Sequence, residues 1–193
     1  RSVALHGRPP RATTVVAFTS DHGELLGDQQ LMFKGGLHYR SLTRVAFLWK
    51  DPAASAPRRV RELAQTTDIA PTVLARAGIE PPNGMQGRSL LALASGTAES
   101  VREALVIEEE GQRRDFGWNS RVRMRSLVDE RYRLTLYDGQ PWGELYDRAD
   151  DPLECRNLWD KPGAAALRGA LAERLSRELI AQGNESPYPS AAA

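Results

Sequence analysis

Residues 21–38 concentrate the side chains of this 193-residue chain that could perform catalysis. Asp21 and His22 are adjacent, and a carboxylate beside an imidazole can ligate a divalent cation. Lys34 follows in the same stretch, and its ammonium group could neutralise an anion bound to such a cation. This combination suits the hydrolysis of a sulfate or phosphate ester, in which charge on the peripheral oxygens has to be stabilised.

The same residues also have a purely structural interpretation. Asp-His-Gly after a strand is typical of a turn in which the Asp side chain accepts a hydrogen bond from a nearby backbone N–H. Two ligands are too few for a metal site, so further ligands must come from elsewhere. His38 could approach a substrate or pack within its loop, and Glu24 and Asp28 could support the site or lie on the surface.

A buried strand is predicted directly before the Asp-His pair. Residues 13–20 form a continuous β-branched and apolar run, which predicts a strand buried on both faces. Ligands bind outside the carboxyl ends of strands in open parallel sheets, and Asp21 lies at that place. After a long loop, residues 45–49 predict a second short buried strand. Such strands need partner strands and covering helices, so we expect much of an α/β domain to precede Arg1.

One amphipathic helix and one short helix are predicted after the second strand. The first begins at an N-cap in residues 66–68, has Pro71 in its first turn and ends at Gly78. The short helix covers residues 89–94. The apolar face of the first helix is expected to consist of Ile69, Val73, Leu74 and Ala77.

From residue 96 the pattern is typical of an antiparallel sheet with one helix packed on it. Asp129-Glu130 separates two runs of alternating polar and apolar residues, which predicts a hairpin. The helix is amphipathic over residues 162–182, with leucines at four-residue spacing. The strands are predicted at residues 104–108, 122–128, 132–137 and 144–147, and the leucines are Leu167, Leu171, Leu175 and Leu179.

The composition is that of a globular protein, with 41% hydrophobic residues, 26% charged residues and a formal net charge of +1. The low net charge argues against nucleic-acid binding through a basic face. No apolar run approaches the roughly 20 residues that span a bilayer. A single cysteine excludes an internal disulfide framework and a multi-cysteine zinc site. Because the chain has 23 arginines but only 3 lysines, Lys34 is a notable residue.

Three ordered blocks resemble the C-terminal region of sulfatases in the alkaline-phosphatase superfamily. The first contains a strand, Ser-Asp-His-Gly, Leu-Gly, a lysine and an Arg-Val strand, and the other two follow at the family's spacing. We therefore expect an α/β fold with two parts. Residues 1–95 would be the C-terminal part of an alkaline-phosphatase-like mixed-sheet catalytic domain, and residues 96–193 a small α+β subdomain. The blocks are VVAFTSDHGELLGDQQLMFKGGLHYRSLTRVAFLWKDP, TTDIAPTVLARAGIEPPNGMQGRSLL and GELYDRADDPLECRNLWD.

The resemblance implies roles that residue spacing alone does not give. By position, Asp21 and His22 would complete the site of one divalent metal ion, with calcium expected first and magnesium or manganese as alternatives. Lys34 would be a catalytic residue that contacts the sulfate, and His38 a second substrate-binding residue. The substrate would be a small-molecule or saccharide sulfate ester. Trp118 and Arg121, in a loop of the second part, are weaker candidates for substrate contact.

The family's nucleophile is a formylglycine made from Cys or Ser within Cys/Ser-x-Pro-Ser/Ala-Arg. Cys155 lacks the Pro and Arg at the required offsets, so we expect a buried or half-exposed structural cysteine there and a nucleophile outside this chain. The sequence also departs from the pattern at Gln29-Gln30, where a His often follows Gly-Asp, and at Ala46, where the family has Pro. Two alternatives stay open: a phosphonate monoester or phosphodiester hydrolase of the same superfamily, and a catalytically silent fragment.

Overall fold

A computed structural model describes residues 13–54, 56–111 and 121–183. Trp118, the start of the first predicted part (residues 1–12) and the end of the second (residues 184–193) lie outside the described residues. The boundary near residue 95 stays a prediction. Two sheets are present: strands β1 and β2 form one, and β3 to β6 form the other. The elements are β1 (Val16–Thr19), α1 (Arg40–Thr43), β2 (Phe47–Lys50), α2 (Ile69–Arg76), α3 (Leu91–Ser95), β3 (Ala104–Glu110), β4 (Arg123–Asp129), β5 (Tyr132–Tyr137), β6 (Gly143–Asp147) and α4 (Ala165–Ala181).

The second sheet is an antiparallel meander in the order β3-β4-β5-β6, with α4 packed on one face. Cross-strand pairing places Val106, Leu127, Leu134 and Leu145 in one apolar row across all four strands. Helix α4 covers this row with its buried leucines, Leu171 and Leu175, while Leu167 and Leu179 are partly buried beside them. The α+β prediction and the apolar face of its helix are therefore confirmed.

The opposite face of the same sheet carries a polar row. Ser126, Thr135 and Glu144 are cross-strand neighbours on β4, β5 and β6. On the same face, Arg133 of β5 pairs with Tyr146 of β6. All of these side chains are buried, because the segment around His38 packs over them. The polar side chains that alternate with apolar ones along β4 and β5 therefore face a second buried region, beneath the segment around His38, and not solvent.

The first sheet differs from the predicted one. Strands β1 and β2 pair with each other and are antiparallel, with Val16 opposite Lys50, a pairing that the prediction of two buried strands did not include. The chain reverses direction through residues 20–46, which places the two strands side by side in opposite senses. Neither strand is buried on both faces within this chain, because Phe18 is 57% exposed and Leu48 is 65% exposed.

The segment before α2 forms a turn of 3-10 helix over Thr66–Asp68. Asp68 does not cap α2 as expected. Its carboxylate is fully buried and accepts hydrogen bonds from the backbone N–H of Gln65 (2.9 Å) and Arg88 (2.8 Å), and from the Arg102 guanidinium. This carboxylate therefore ties α2 to the segments that follow it.

The buried face of α2 also differs from the predicted one. Val73 is 48% exposed, whereas Thr72 is buried, with its hydroxyl donating to the Asp68 carbonyl (2.6 Å) and accepting from Leu90 N–H (2.9 Å). A helix this short is oriented by such hydrogen bonds as much as by its apolar residues. Among the described residues, no helix has both the length and the apolar character needed to cross a membrane.

Leu171→Ala should lower the free energy of unfolding by about 2–5 kcal/mol, because it removes a buried side chain and leaves a cavity under α4. Thermal unfolding followed by circular dichroism measures the effect. Ile180→Ala on the same helix is the matched control, since Ile180 is 79% exposed. Equal losses in Tm for the two variants would show that α4 does not pack through its leucine face.

Candidate metal and anion site

The end of β1 positions Asp21 and His22 in a tight turn. The Gly23 N–H donates to the Leu42 carbonyl (2.8 Å), and the Ser20 hydroxyl donates to the His22 carbonyl (2.7 Å). Gly23 is required here, because a Cβ on this residue would lie only 1.8 Å from the Ser41 carbonyl oxygen. The turn is therefore held directly against α1.

The orientation of the His22 ring is set by a backbone carbonyl. Nδ1 lies 2.6 Å from the Gly23 carbonyl oxygen, which can only accept, so Nδ1 carries the proton and Nε2 has a free lone pair. Lys34 Nζ donates to this Nε2 at 2.5 Å. A carbonyl that fixes the tautomer in this way is the arrangement found around histidine ligands of metals.

Asp21 completes a cluster of three groups. Its Oδ2 lies 3.5 Å from His22 Nε2, and its side chain is 84% exposed. The hydrogen bond from His22 N–H to Oδ1 (3.0 Å), together with the charge of Lys34, lowers the pKa of the Asp21 carboxyl. The carboxylate is thus ionised at neutral pH and accessible to a ligand.

The three groups fit part of a metal and anion site. Asp21 offers a carboxylate oxygen and His22 an imidazole nitrogen, both on the side where Lys34 presents its ammonium group. Within residues 13–54, 56–111 and 121–183, no group of three or more His, Cys, Asp or Glu residues could hold a metal ion. The described residues could therefore supply two metal ligands and one positive charge for an anion.

His38 occupies a different environment from these three residues. It is 4% exposed, and its Nδ1 lies 2.8 Å from the Ser126 hydroxyl on β4. Burial, with the nearby Arg133 and Arg125 charges, lowers the pKa of His38 to about 3, so the ring is neutral. This ring links the loop to the four-stranded sheet, and its contact with a substrate stays a prediction.

The remaining candidates surround the site without joining the cluster. Glu24 accepts a hydrogen bond from the neighbouring Leu25 N–H (3.1 Å), and Asp28 begins a turn of 3-10 helix. Cys155 is exposed, so the expectation of a buried or half-exposed thiol is wrong. It lies on a turn outside the sheet, beside Gln29, whose Nε2 donates to the Leu153 carbonyl at 2.5 Å.

A buried charge cluster beneath the loop was not predicted from the sequence. Arg133 is 1% exposed and contacts Glu144 through Nη1 (2.7 Å) and Glu154 through Nε (3.0 Å). Burial opposes the charge of Arg133, but the two carboxylates hold its pKa above its ordinary value. The signal in the sequence was an arginine inside a strand, but alternation alone places such a residue on a solvated face.

Comparison with known proteins places this chain in a family. The sequence model described as N-sulphoglucosamine sulphohydrolase, C-terminal, matches residues 27–181. The uncharacterized sulfatase YidJ of Escherichia coli is 32% identical over 166 residues, covering 86% of this chain and 32% of that protein. An ulvan-active sulfatase of Formosa agariphila is 30% identical over 176 residues, covering 89% and 34%. The chain thus spans about a third of the length of these curated relatives.

Solved structures show the same fold. The structure of BT4656 in complex with its substrate, D-glucosamine-2-N,6-O-disulfate, matches 92% of this chain and 36% of its own with a TM-score of 0.77 at 23% identity. The phosphonate monoester hydrolase of Agrobacterium radiobacter matches 89% of this chain and 36% of its own, with a TM-score of 0.77 at 29% identity. Both likenesses agree with the expected alkaline-phosphatase-like fold.

Protonation of His38 should couple stability to pH. Its pKa is about 3 in the folded chain against an ordinary value of 6.5, so only the unfolded chain binds this proton between those values. Stability is therefore fully present above pH 6.5 and declines as pH falls toward 3, by at most about 1.4 kcal/mol per pH unit. Chemical denaturation at pH 7 and pH 5 should show a smaller decline for His38→Gln than for the wild type. An identical decline in both proteins would contradict the assignment.

Proposed function

Because the chain belongs to the C-terminal N-sulphoglucosamine sulphohydrolase family of sulfatases, we propose that it supplies the metal-binding and anion-binding side of an active site that hydrolyses sulfate esters. The observation that carries the proposal is the convergence of Asp21, His22 and Lys34 at the end of β1. The chain covers about a third of its curated relatives, so the complete enzyme needs further residues. We assign the nucleophile, a formylglycine, to a segment outside this chain.

Each of the three residues has a defined task in this proposal. Asp21 and His22 would hold one divalent cation, which when bound withdraws electron density from the ester oxygens it contacts. Lys34 would donate to an anionic oxygen of the substrate, so that its hydrogen bond moves from His22 Nε2 to the ester. As the S–O bond breaks, its electron pair goes to the oxygen of the leaving group, and the ammonium group would stabilise the negative charge on the sulfate oxygens throughout this step.

We propose a sulfated saccharide or small-molecule sulfate as the substrate. Two of the proteins compared above support the saccharide: the ulvan-active sulfatase by its name, and BT4656 by its disulfated glucosamine substrate. The anionic sulfate would face Lys34, and the exposed Asp21 carboxylate leaves this edge open to a bulky substrate.

Calcium is the cation expected from the family, with magnesium and manganese as alternatives. Calcium prefers oxygen ligands, whereas the His22 imidazole offers nitrogen, which manganese accepts more readily. Isothermal titration of the metal-free full-length protein with each cation identifies the metal. Asp21→Asn should weaken the binding of that cation, and an unchanged affinity would contradict the assignment of Asp21.

A phosphonate monoester or phosphodiester hydrolase is the second candidate function. The Agrobacterium radiobacter enzyme favours it, since that structure is more similar in sequence to this chain than BT4656 is, at 29% against 23% identity. Full-length protein loaded with the identified metal should hydrolyse an aryl sulfate with a higher kcat/KM than an aryl phosphonate monoester. The reverse order would establish the alternative, and turnover of neither would indicate a catalytically silent protein.

Lys34→Ala should lower kcat/KM of the full-length enzyme by roughly 10²-fold or more, the effect of removing one preorganised group that stabilises developing charge. Thermal stability should hardly change, because Lys34 is exposed. Lys50→Ala is the matched control, since Lys50 is an exposed lysine on β2 with no assigned role. Steady-state kinetics with an aryl sulfate measure both variants, and equal losses would remove Lys34 from the site.

A further inference from the structure

The loop between β1 and β2 contacts the four-stranded sheet and its following turn at several places, which include three hydrogen bonds. Gln29 donates to the Leu153 carbonyl, and His38 contacts Ser126. The third contact is made by the backbone: the Arg40 N–H donates to Glu154 Oε2 at 2.8 Å. Two of these three contacts end on residues 153–154, which belong to the Asp-Pro-x-Glu block of the sequence.

The side chain and the backbone of Glu154 are both constrained at this contact. It is 1% exposed, and its other oxygen, Oε1, accepts a hydrogen bond from Arg133 Nε at 3.0 Å. Its backbone has a φ of 55°, a left-handed conformation that residues other than glycine rarely adopt. Such a conformation persists only where the surrounding contacts hold it, so the carboxylate is fixed in direction between Arg133 and Arg40.

From Arg40 the contacts continue through one turn of helix to Asp21 and His22, the two proposed metal ligands, which together are called the metal pair. Arg40 is the first residue of α1, and Leu42 in that helix presents its carbonyl to the Gly23 N–H. Gly23 directly follows Asp21 and His22, and its own carbonyl fixes the His22 tautomer. Two hydrogen bonds, from Arg40 N–H to Glu154 and from Gly23 N–H to the Leu42 carbonyl, are thus joined by two short covalent stretches, residues 40–42 and residues 21–23.

We infer that Glu154 is a positioning residue for the metal pair, which it holds through Arg40, α1 and Gly23. The inference uses the proposed function only in taking Asp21 and His22 as metal ligands. Glu154 touches neither metal nor substrate. Its buried carboxylate fixes where α1 begins, and α1 fixes the turn that aims His22 Nε2. Partners that orient a metal ligand in this way typically change metal affinity 10–100-fold when they are removed.

Arg40→Pro tests this link without altering Glu154. Proline is tolerated at the first position of a helix but has no N–H, so the variant deletes only the donor to Glu154 and the side chain. Arg40→Ala is the matched control, because it loses the same guanidinium group and keeps the N–H. Amide hydrogen exchange by mass spectrometry reports on Gly23, and titration with Mn²⁺ alone reports on the metal pair.

In the full-length protein, the Gly23 amide hydrogen should exchange at least tenfold faster in Arg40→Pro than in Arg40→Ala. Arg40→Pro should also bind Mn²⁺ about tenfold more weakly than Arg40→Ala. Glu154→Gln should behave like Arg40→Pro, since an amide cannot accept from both Arg40 and Arg133. Glu144→Gln is its control: Glu144 also pairs with Arg133, but its remaining hydrogen bond is from Tyr137 in the sheet. A shared loss of Tm with unchanged Gly23 exchange in all four variants would overturn the inference.

Kinetics separate this inference from the proposed function. If the wild type hydrolyses an aryl sulfate, kcat should fall in Arg40→Pro relative to Arg40→Ala, and equal kcat values would refute the positioning role while leaving the sulfatase assignment intact. If the wild type hydrolyses no sulfate ester, the sulfatase proposal fails. The exchange and Mn²⁺ comparisons then still decide whether Glu154 positions the pair.

Discussion

Arg133 lies in the middle of a β-sheet and out of contact with solvent, between the carboxylates of Glu144 and Glu154. Burial of one charge without partners would cost several kcal/mol, so these three side chains have to remain together. Tyr39 and Tyr146 lie against the guanidinium, with ring centroids 5.3 Å and 4.7 Å from its carbon. The sheet can therefore bury both faces, one under an apolar helix and one under a polar loop.

This constraint explains how the long loop between β1 and β2 is held in place. The loop buries few of its apolar residues: among those described, Leu25 and Leu42 are buried. Its remaining support comes from polar contacts with the second sheet at His38 and Arg40. The α+β part thus supports the loop that carries Asp21 and His22 and also has its own core.

The sequence predicted the elements that depend on local pattern. The leucines of α4 and the alternation around Asp129 were sufficient, because a helix face and a hairpin are decided by neighbouring residues. The antiparallel pairing of β1 with β2 was missed, since the direction of a partner strand depends on a reversal of the chain between them. Residue types and the predicted strand end singled out Asp21, His22 and Lys34, and the family resemblance assigned each of them a role.

Buried polar contacts were the least predictable part of the molecule. For His38 the sequence left open a substrate contact or packing within its loop, and an arginine in a strand usually has a solvated position. Only the packing of the loop on the sheet buries His38 and Arg133 together. Glu154 was visible only as one letter of a family block, because its role depends on a backbone N–H more than a hundred residues away.

We propose that Asp21 and His22 jointly hold a divalent cation. A crystal structure of the full-length protein with Mn²⁺, recorded with anomalous scattering, tests this proposal most directly. We expect an anomalous peak at ligand distance from Asp21 Oδ2 and His22 Nε2, with Lys34 Nζ turned away from the imidazole. A Mn²⁺ peak elsewhere in the protein, with Asp21 and His22 free of metal, would contradict it.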